Sequence, residues 1–181
     1  GTRSYIILVT GVTLSIQDEN LEYSGELILR DSATLEVYFN DDDSFGPDVY
    51  DPVAFPGVRF ASLGRESTVI YRPGFTYETT IPATNYFHLS LQTGDDFYED
   101  SHDIILSGDY GIAGDFSYGY PVNLITHDPS DVPTFTFNGS DTSYINFPSY
   151  SGFGALPAIT VNSGATLALG NLNDQTEYEE L

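Results

Sequence analysis

Apolar residues recur at every second position along this chain, in short runs broken by Gly, Pro, Asn and Asp. Val12, Leu14 and Ile16 alternate with Thr13 and Ser15. Leu27 and Leu29 alternate with Glu26 and Ile28, and Leu35, Val37 and Phe39 with Glu36 and Tyr38. Phe87, Leu89 and Leu91 share one face of a run whose other face carries His88 and Ser90. A period of two is the signature of a strand with unlike faces, and no segment longer than a turn has the i, i+3, i+4 spacing of a helix. The pattern therefore predicts little or no helix. Further short strands are expected over residues 58–61, 68–71, 75–81, 104–107, 122–126, 134–137 and 144–147. Residues 159–161 and 165–169 read as a hairpin across Asn162-Ser163-Gly164.

A dozen or so short strands with Gly and Pro turns predict an all-β, antiparallel β-sandwich, most simply of jelly-roll type. Residues 11–181 are read as a single domain, preceded by an apolar strand within residues 1–10. Asn40 to Pro56 and Thr93 to Asp103 are long acidic loops, and the Gly- and Tyr-rich stretch Gly108 to Tyr120 reads as turns. One motif echoes internally: Gly11-Val-Thr-Leu-Ser-Ile, Ser32-Ala-Thr-Leu-Glu-Val and Gly164-Ala-Thr-Leu-Ala-Leu. Its separations are unequal, so the echo is assigned to the ordinary chemistry of leaving a turn, and no solenoid is expected.

Tyr5-Ile6-Ile7-Leu8-Val9 is the longest uninterrupted apolar run. It is far too short to cross a membrane as a helix, which takes about 20 apolar residues. It reads as a strand buried on both faces. An apolar strand of this kind is an aggregation hazard unless something pairs with it. Donation to a neighbouring copy would convert the hazard into a head-to-tail joint, and such joints can propagate.

Charge narrows the range of partners. There are 27 acidic residues against five Arg and no Lys, for a net charge of −22. Such a surface repels phosphate, which argues against nucleic acid and anionic membranes. All five Arg lie at or before Arg72, leaving the later half almost purely anionic and able to face the Arg-bearing half of another copy. The absence of Cys removes disulfides, thiol catalysis and thiolate metal sites. Fourteen Tyr and twelve Phe argue for a folded chain despite the charge. The Lys-free, Tyr- and Asp-rich composition, together with the missing start Met, points to an extracellular or cell-surface setting.

Carboxylates clustered on one loop can supply the six to eight oxygens that calcium takes. Asp41, Asp42, Asp43, Asp48 and Asp51 form the favoured cluster, and Asp95, Asp96, Glu99, Asp100 and Asp103 a second. An EF-hand fails on the first, because Phe45 falls at a ligand position and Pro52 replaces the closing acid. His88, His102 and His127 lack zinc spacing. No nucleophile elbow is present, and glycoside hydrolysis by a carboxylate pair is the enzymatic chemistry such a fold most readily hosts. Tyr110, Phe116, Tyr118, Tyr120, Tyr144, Tyr150 and Phe153 could stack on sugars. Asn138-Gly139-Ser140 is a formal glycosylation acceptor on a turn.

These features point to a non-enzymatic, secreted structural subunit that assembles with itself into a filament or surface layer. Tyr5 to Val9 would be its donor strand and calcium would steady its acidic loops. The alternative is a calcium-dependent, lectin-like module that binds glycans.

Overall fold

A computed structural model describes residues 5–17, 26–38, 59–72, 79–92, 102–119, 122–126, 132–147 and 157–171. The alternating runs become seventeen short strands, with no helix among the described residues. They are β1 (Tyr5–Leu8), β2 (Thr13–Gln17), β3 (Glu26–Leu29), β4 (Thr34–Tyr38), β5 (Arg59–Leu63), β6 (Thr68–Arg72), β7 (Thr79–Ile81), β8 (Asn85–Tyr86), β9 (His88–Leu91), β10 (His102–Leu106), β11 (Asp109–Ile112), β12 (Phe116–Tyr118), β13 (Val122–Ile125), β14 (Thr134–Phe137), β15 (Thr142–Phe147), β16 (Ala158–Val161) and β17 (Thr166–Asn171).

Every pairing among these strands is parallel, and none joins neighbours in sequence. One seven-stranded sheet runs β2-β4-β6-β9-β12-β15-β17. Opposing it are the smaller sheets β1-β3-β5, β7-β10-β13 and β8-β11-β14-β16. Over its described residues the chain winds as a β-solenoid of seven coils, each contributing one strand to the long sheet. This overturns the antiparallel sandwich and the jelly roll. The physical reason is that two-residue alternation reports which face is buried and nothing about strand direction. Parallel neighbours need a long connection, and here the rest of each coil supplies it.

The corrected pairing explains the internal echo. In four coils the corner between the two sheets is a four-residue turn closed by a backbone hydrogen bond. The Val12, Ala33, Ser67 and Ala165 N–H groups donate to the carbonyls of Val9, Arg30, Gly64 and Asn162 at 3.0–3.1 Å. The third turn residue has positive φ each time: Gly11 (72°), Ser32 (57°), Glu66 (59°) and Gly164 (88°). A type II turn needs that conformation there. Thr then opens the strand, followed by an inward apolar residue. Asn162-Ser163-Gly164 is thus a corner and not a hairpin tip: β16 pairs with β14 and β17 with β15. The repeat escapes a search for a fixed period because the column Thr13, Thr34, Thr68, His88 is reached after unequal lengths of chain.

Stacking like on like builds the core. One inward column passes through all seven coils as Leu14, Leu35, Val69, Leu89, Phe116, Ile145 and Leu169. Opposite it stand the columns Tyr86-Ile112-Phe137-Val161 and Tyr110-Phe135-Ile159. Each interior member, fully buried, contributes about 1.5–3 kcal/mol by leaving water. Buried tyrosines keep their hydroxyls satisfied. Tyr86 donates to the Pro82 carbonyl at 2.7 Å, so the 3.2 Å contact between the Tyr71 and Tyr86 hydroxyls uses the Tyr71 proton. Tyr110 donates to the Ile81 carbonyl and accepts from the Ser107 N–H, both at 3.1 Å.

Tight coil-to-coil contact leaves no room for a Cβ at Gly64 or Gly139. A Cβ on Gly139 would overlap the carbonyl of Ala113 in the preceding coil, and backbone cannot step aside. Gly139→Ala is expected to cost about 1–3 kcal/mol in denaturant titration, the range typical of overpacking.

Burial pushes the Tyr110 phenol up to about 12 from its ordinary value of 10.0 and raises Tyr86 in the same direction. The folded chain therefore keeps protons that the unfolded chain releases above pH 10. Their stabilising contribution is complete below about pH 10 and falls as pH rises towards about 12, each tenfold gain in proton affinity on folding being worth about 1.4 kcal/mol. Stability measured across that window should decline, and Tyr110→Phe should make the decline shallower.

Candidate functional site

The sequence-derived candidates fare unequally. Asp41, Asp42, Asp43, Asp48 and Asp51 lie outside the described residues, as do Asp95, Asp96, Glu99 and Asp100 of the second cluster. Among the described residues, no group of three His, Cys, Asp or Glu side chains is placed to hold a metal ion. Asn138 is exposed on the turn between β14 and β15, its N–H donating to the Ile112 carbonyl at 3.0 Å. Tyr110, Phe116 and Tyr118 are core residues, whereas Tyr144 is exposed. Tyr120, Tyr150, Phe153 and His127 lie outside the described residues. No helix among the described residues is long and apolar enough to cross a membrane.

Tyr5 to Leu8 pair in parallel with Glu26 to Leu29 of the same chain. One edge of the apolar run is therefore occupied within its own subunit. The run is also not buried on both faces. Leu8 is buried, while Ile7 is 50% exposed and Val9 is exposed as well. It belongs to an end coil, with Ile6, Leu14 and Ile16 partly buried against the core.

The other end is more open. Ile159, Val161 and Leu169 continue the inward columns of Phe135, Phe137 and Ile145. One coil earlier those columns are 1%, 0% and 1% exposed; in the last described coil they are 41%, 44% and 74% exposed. These side chains continue the core columns, and no strand among the described residues stacks beyond them. Sequence reasoning missed them because alternation marks Leu169 as inward without saying whether another coil lies beyond it.

A second feature runs along the outer side of the long sheet. His88, on the fourth coil, accepts the Asp115 N–H at Nδ1 (2.9 Å). That fixes the ring proton on Nε2, which donates to Glu66 Oε2 at 3.3 Å. Asp115 Oδ1 in turn accepts the Tyr144 N–H at 2.8 Å, and Asp31 Oδ1 accepts the Arg65 N–H at 2.9 Å. In each case a side chain of one coil holds the backbone of the next, serving as a staple between coils. With both ring nitrogens engaged, His88 has no lone pair left over for base chemistry. Nothing in sequence could have joined Glu66, His88 and Asp115, which meet only because coils of unequal length stack.

Near the first coils, Glu36 accepts from Ser15 Oγ (2.7 Å) and from Arg72 (3.1 Å), while the Arg72 guanidinium lies 5.3 Å over the Tyr38 ring. The Ser15 hydrogen bond, with help from Arg72, holds the Glu36 carboxyl below its ordinary value of 4.5 against the opposing effect of burial. Its stabilising contribution is full above that ordinary range and is lost as pH falls through the lower folded value. Glu36→Gln should cost about 1 kcal/mol at neutral pH. It should also flatten the acid limb of the stability profile, measured by chemical denaturation between pH 2 and 7. No protein-family model, no curated protein and no solved structure matches this chain, so its functional reading rests on its own residues.

Proposed function

We propose that this chain is a structural protein whose solenoid lengthens by end-to-end stacking with copies of itself. The carrying observation is the exposure of Ile159, Val161 and Leu169, inward residues of the last described coil, beside their fully buried counterparts one coil earlier. Solenoids normally finish in a coil with a polar outer face, because an open end exposes both core and strand edge. An apolar end instead favours addition of another layer. The two ends differ, so the contact is head-to-tail and open, which permits chains of indefinite length.

The reading places stacking at the joint, in keeping with the pairing of β1 with β3 in its own subunit. The net charge of −22 tempers association at low salt through self-repulsion, so assembly should strengthen as salt screens it.

Sedimentation and negative-stain microscopy of the purified chain across salt and concentration test this reading. Rod-like oligomers are expected. Leu169→Asp should weaken association at least tenfold, since one buried Leu is worth about 1.5–3 kcal/mol, and should leave the unfolding midpoint of the monomer little changed. A wild-type chain that stays monomeric under every condition overturns the proposal.

A further inference from the structure

The first and last coils are built on one template. Coil one runs Ile6, Leu8, the turn Val9-Thr10-Gly11-Val12, then Thr13, Leu14 and Ile16. Coil seven runs Ile159, Val161, the turn Asn162-Ser163-Gly164-Ala165, then Thr166, Leu167 and Leu169. Both turns are closed by the same hydrogen bond, at 3.1 and 3.0 Å, and both place Gly at positive φ on the third residue. Coils four and five, by contrast, turn the same corner differently: Phe87 alone separates β8 from β9, and Ala113-Gly114-Asp115 separate β11 from β12. A coil with the same turn as coil seven therefore exists at the opposite end of the described stack.

From this match we infer that the partner of the open end is the first coil of a second copy, seated turn over turn, with Gly11 on Gly164 and Thr13 on Thr166. The inference rests on the end-to-end reading above and adds the register of the joint. In that register every inward contact is apolar: Ile6 and Leu8 meet Ile159 and Val161, while Leu14 and Ile16 meet Leu167 and Leu169. The backbone bonding follows the rule used inside the chain, where the Arg30 and Thr34 N–H groups donate to the Leu8 and Val12 carbonyls of the coil before. At the joint, the incoming Val9 and Thr13 N–H groups donate to the carbonyls of Val161 and Ala165. A slip of two residues, with Thr13 on Ala168, continues the column that runs from Leu14 to Leu169 and keeps the same faces inward, but it sets turn against strand. It loses the corner match.

The absence of Cys makes the register directly readable. Thr13 and Thr166 are exposed on the outer face of the long sheet. Within one molecule they sit six strands apart and two residues out of register, about 30 Å, whereas across the proposed joint they become neighbours about 4.8 Å apart. The full chain carrying Thr13→Cys and Thr166→Cys is treated with a short bis-methanethiosulfonate cross-linker under assembling conditions and run on a denaturing, non-reducing gel. A ladder of multimers is expected from the double variant, dimers at most from either single variant, and at least tenfold less product from the slipped pair Thr13→Cys with Ala168→Cys. Circular dichroism and sedimentation confirm that each variant folds and assembles as the parent does.

Assembly with cross-linking favouring the slipped pair, or neither pair, overturns the register while leaving end-to-end stacking in place. No assembly and no cross-linking by the wild-type-like chain overturns both.

Discussion

Everything in this molecule depends on parallel, in-register stacking of like residues from coil to coil. A coil of two or three short strands cannot bury its inner face alone, and a single layer of Leu and Val has no partner. Set on a second coil in register, each inward side chain meets an apolar neighbour above and below, and the backbone ladder closes at the same time. The column from Leu14 through Phe116 to Leu169 is this constraint made visible. Its interior members are buried and its last member is not.

The same constraint organises the polar residues. Where the tight turn recurs, carbonyls of one coil receive the N–H groups of the next. Around the fourth to sixth coils, where the corner changes shape, His88 and Asp115 side chains accept backbone N–H groups as well. Buried or half-buried donors must find an acceptor somewhere, and these side chains provide it. His88 and Asp115 therefore have a structural role in holding one coil on the next. Among the described residues, the end of the stack presents apolar core positions to solvent, and the proposed function rests on it.

The strands themselves were legible. Alternation placed nearly every described strand within a residue or two, and it assigned Leu27, Leu35, Val37, Leu89 and Leu91 to the buried face, where they lie. The stretch Gly108 to Tyr120, read as turns, contains β11 and β12 instead. Its Tyr110, Phe116 and Tyr118 point inwards, so their frequent Gly neighbours mark corners between short strands and not an exposed aromatic surface. The apolar amino-terminal run was legible as a strand, but its composition alone could not reveal that Glu26 to Leu29 pairs with it in cis.

By itself the sequence determined the local facts: all-β structure, inward and outward faces, the Thr-Leu motif after a turn residue, and a strongly anionic chain. These follow from side-chain periodicity, backbone sterics and net charge, which need no knowledge of what lies beside a strand. Tertiary structure alone decided that neighbouring strands run parallel, that the Thr-Leu echo is one corner repeated, and that Glu66, His88 and Asp115 meet. The reason is that strand direction and register are properties of pairs. A period of two is the same in a hairpin and in a coil, and unequal coil lengths erase the fixed repeat that would have told them apart.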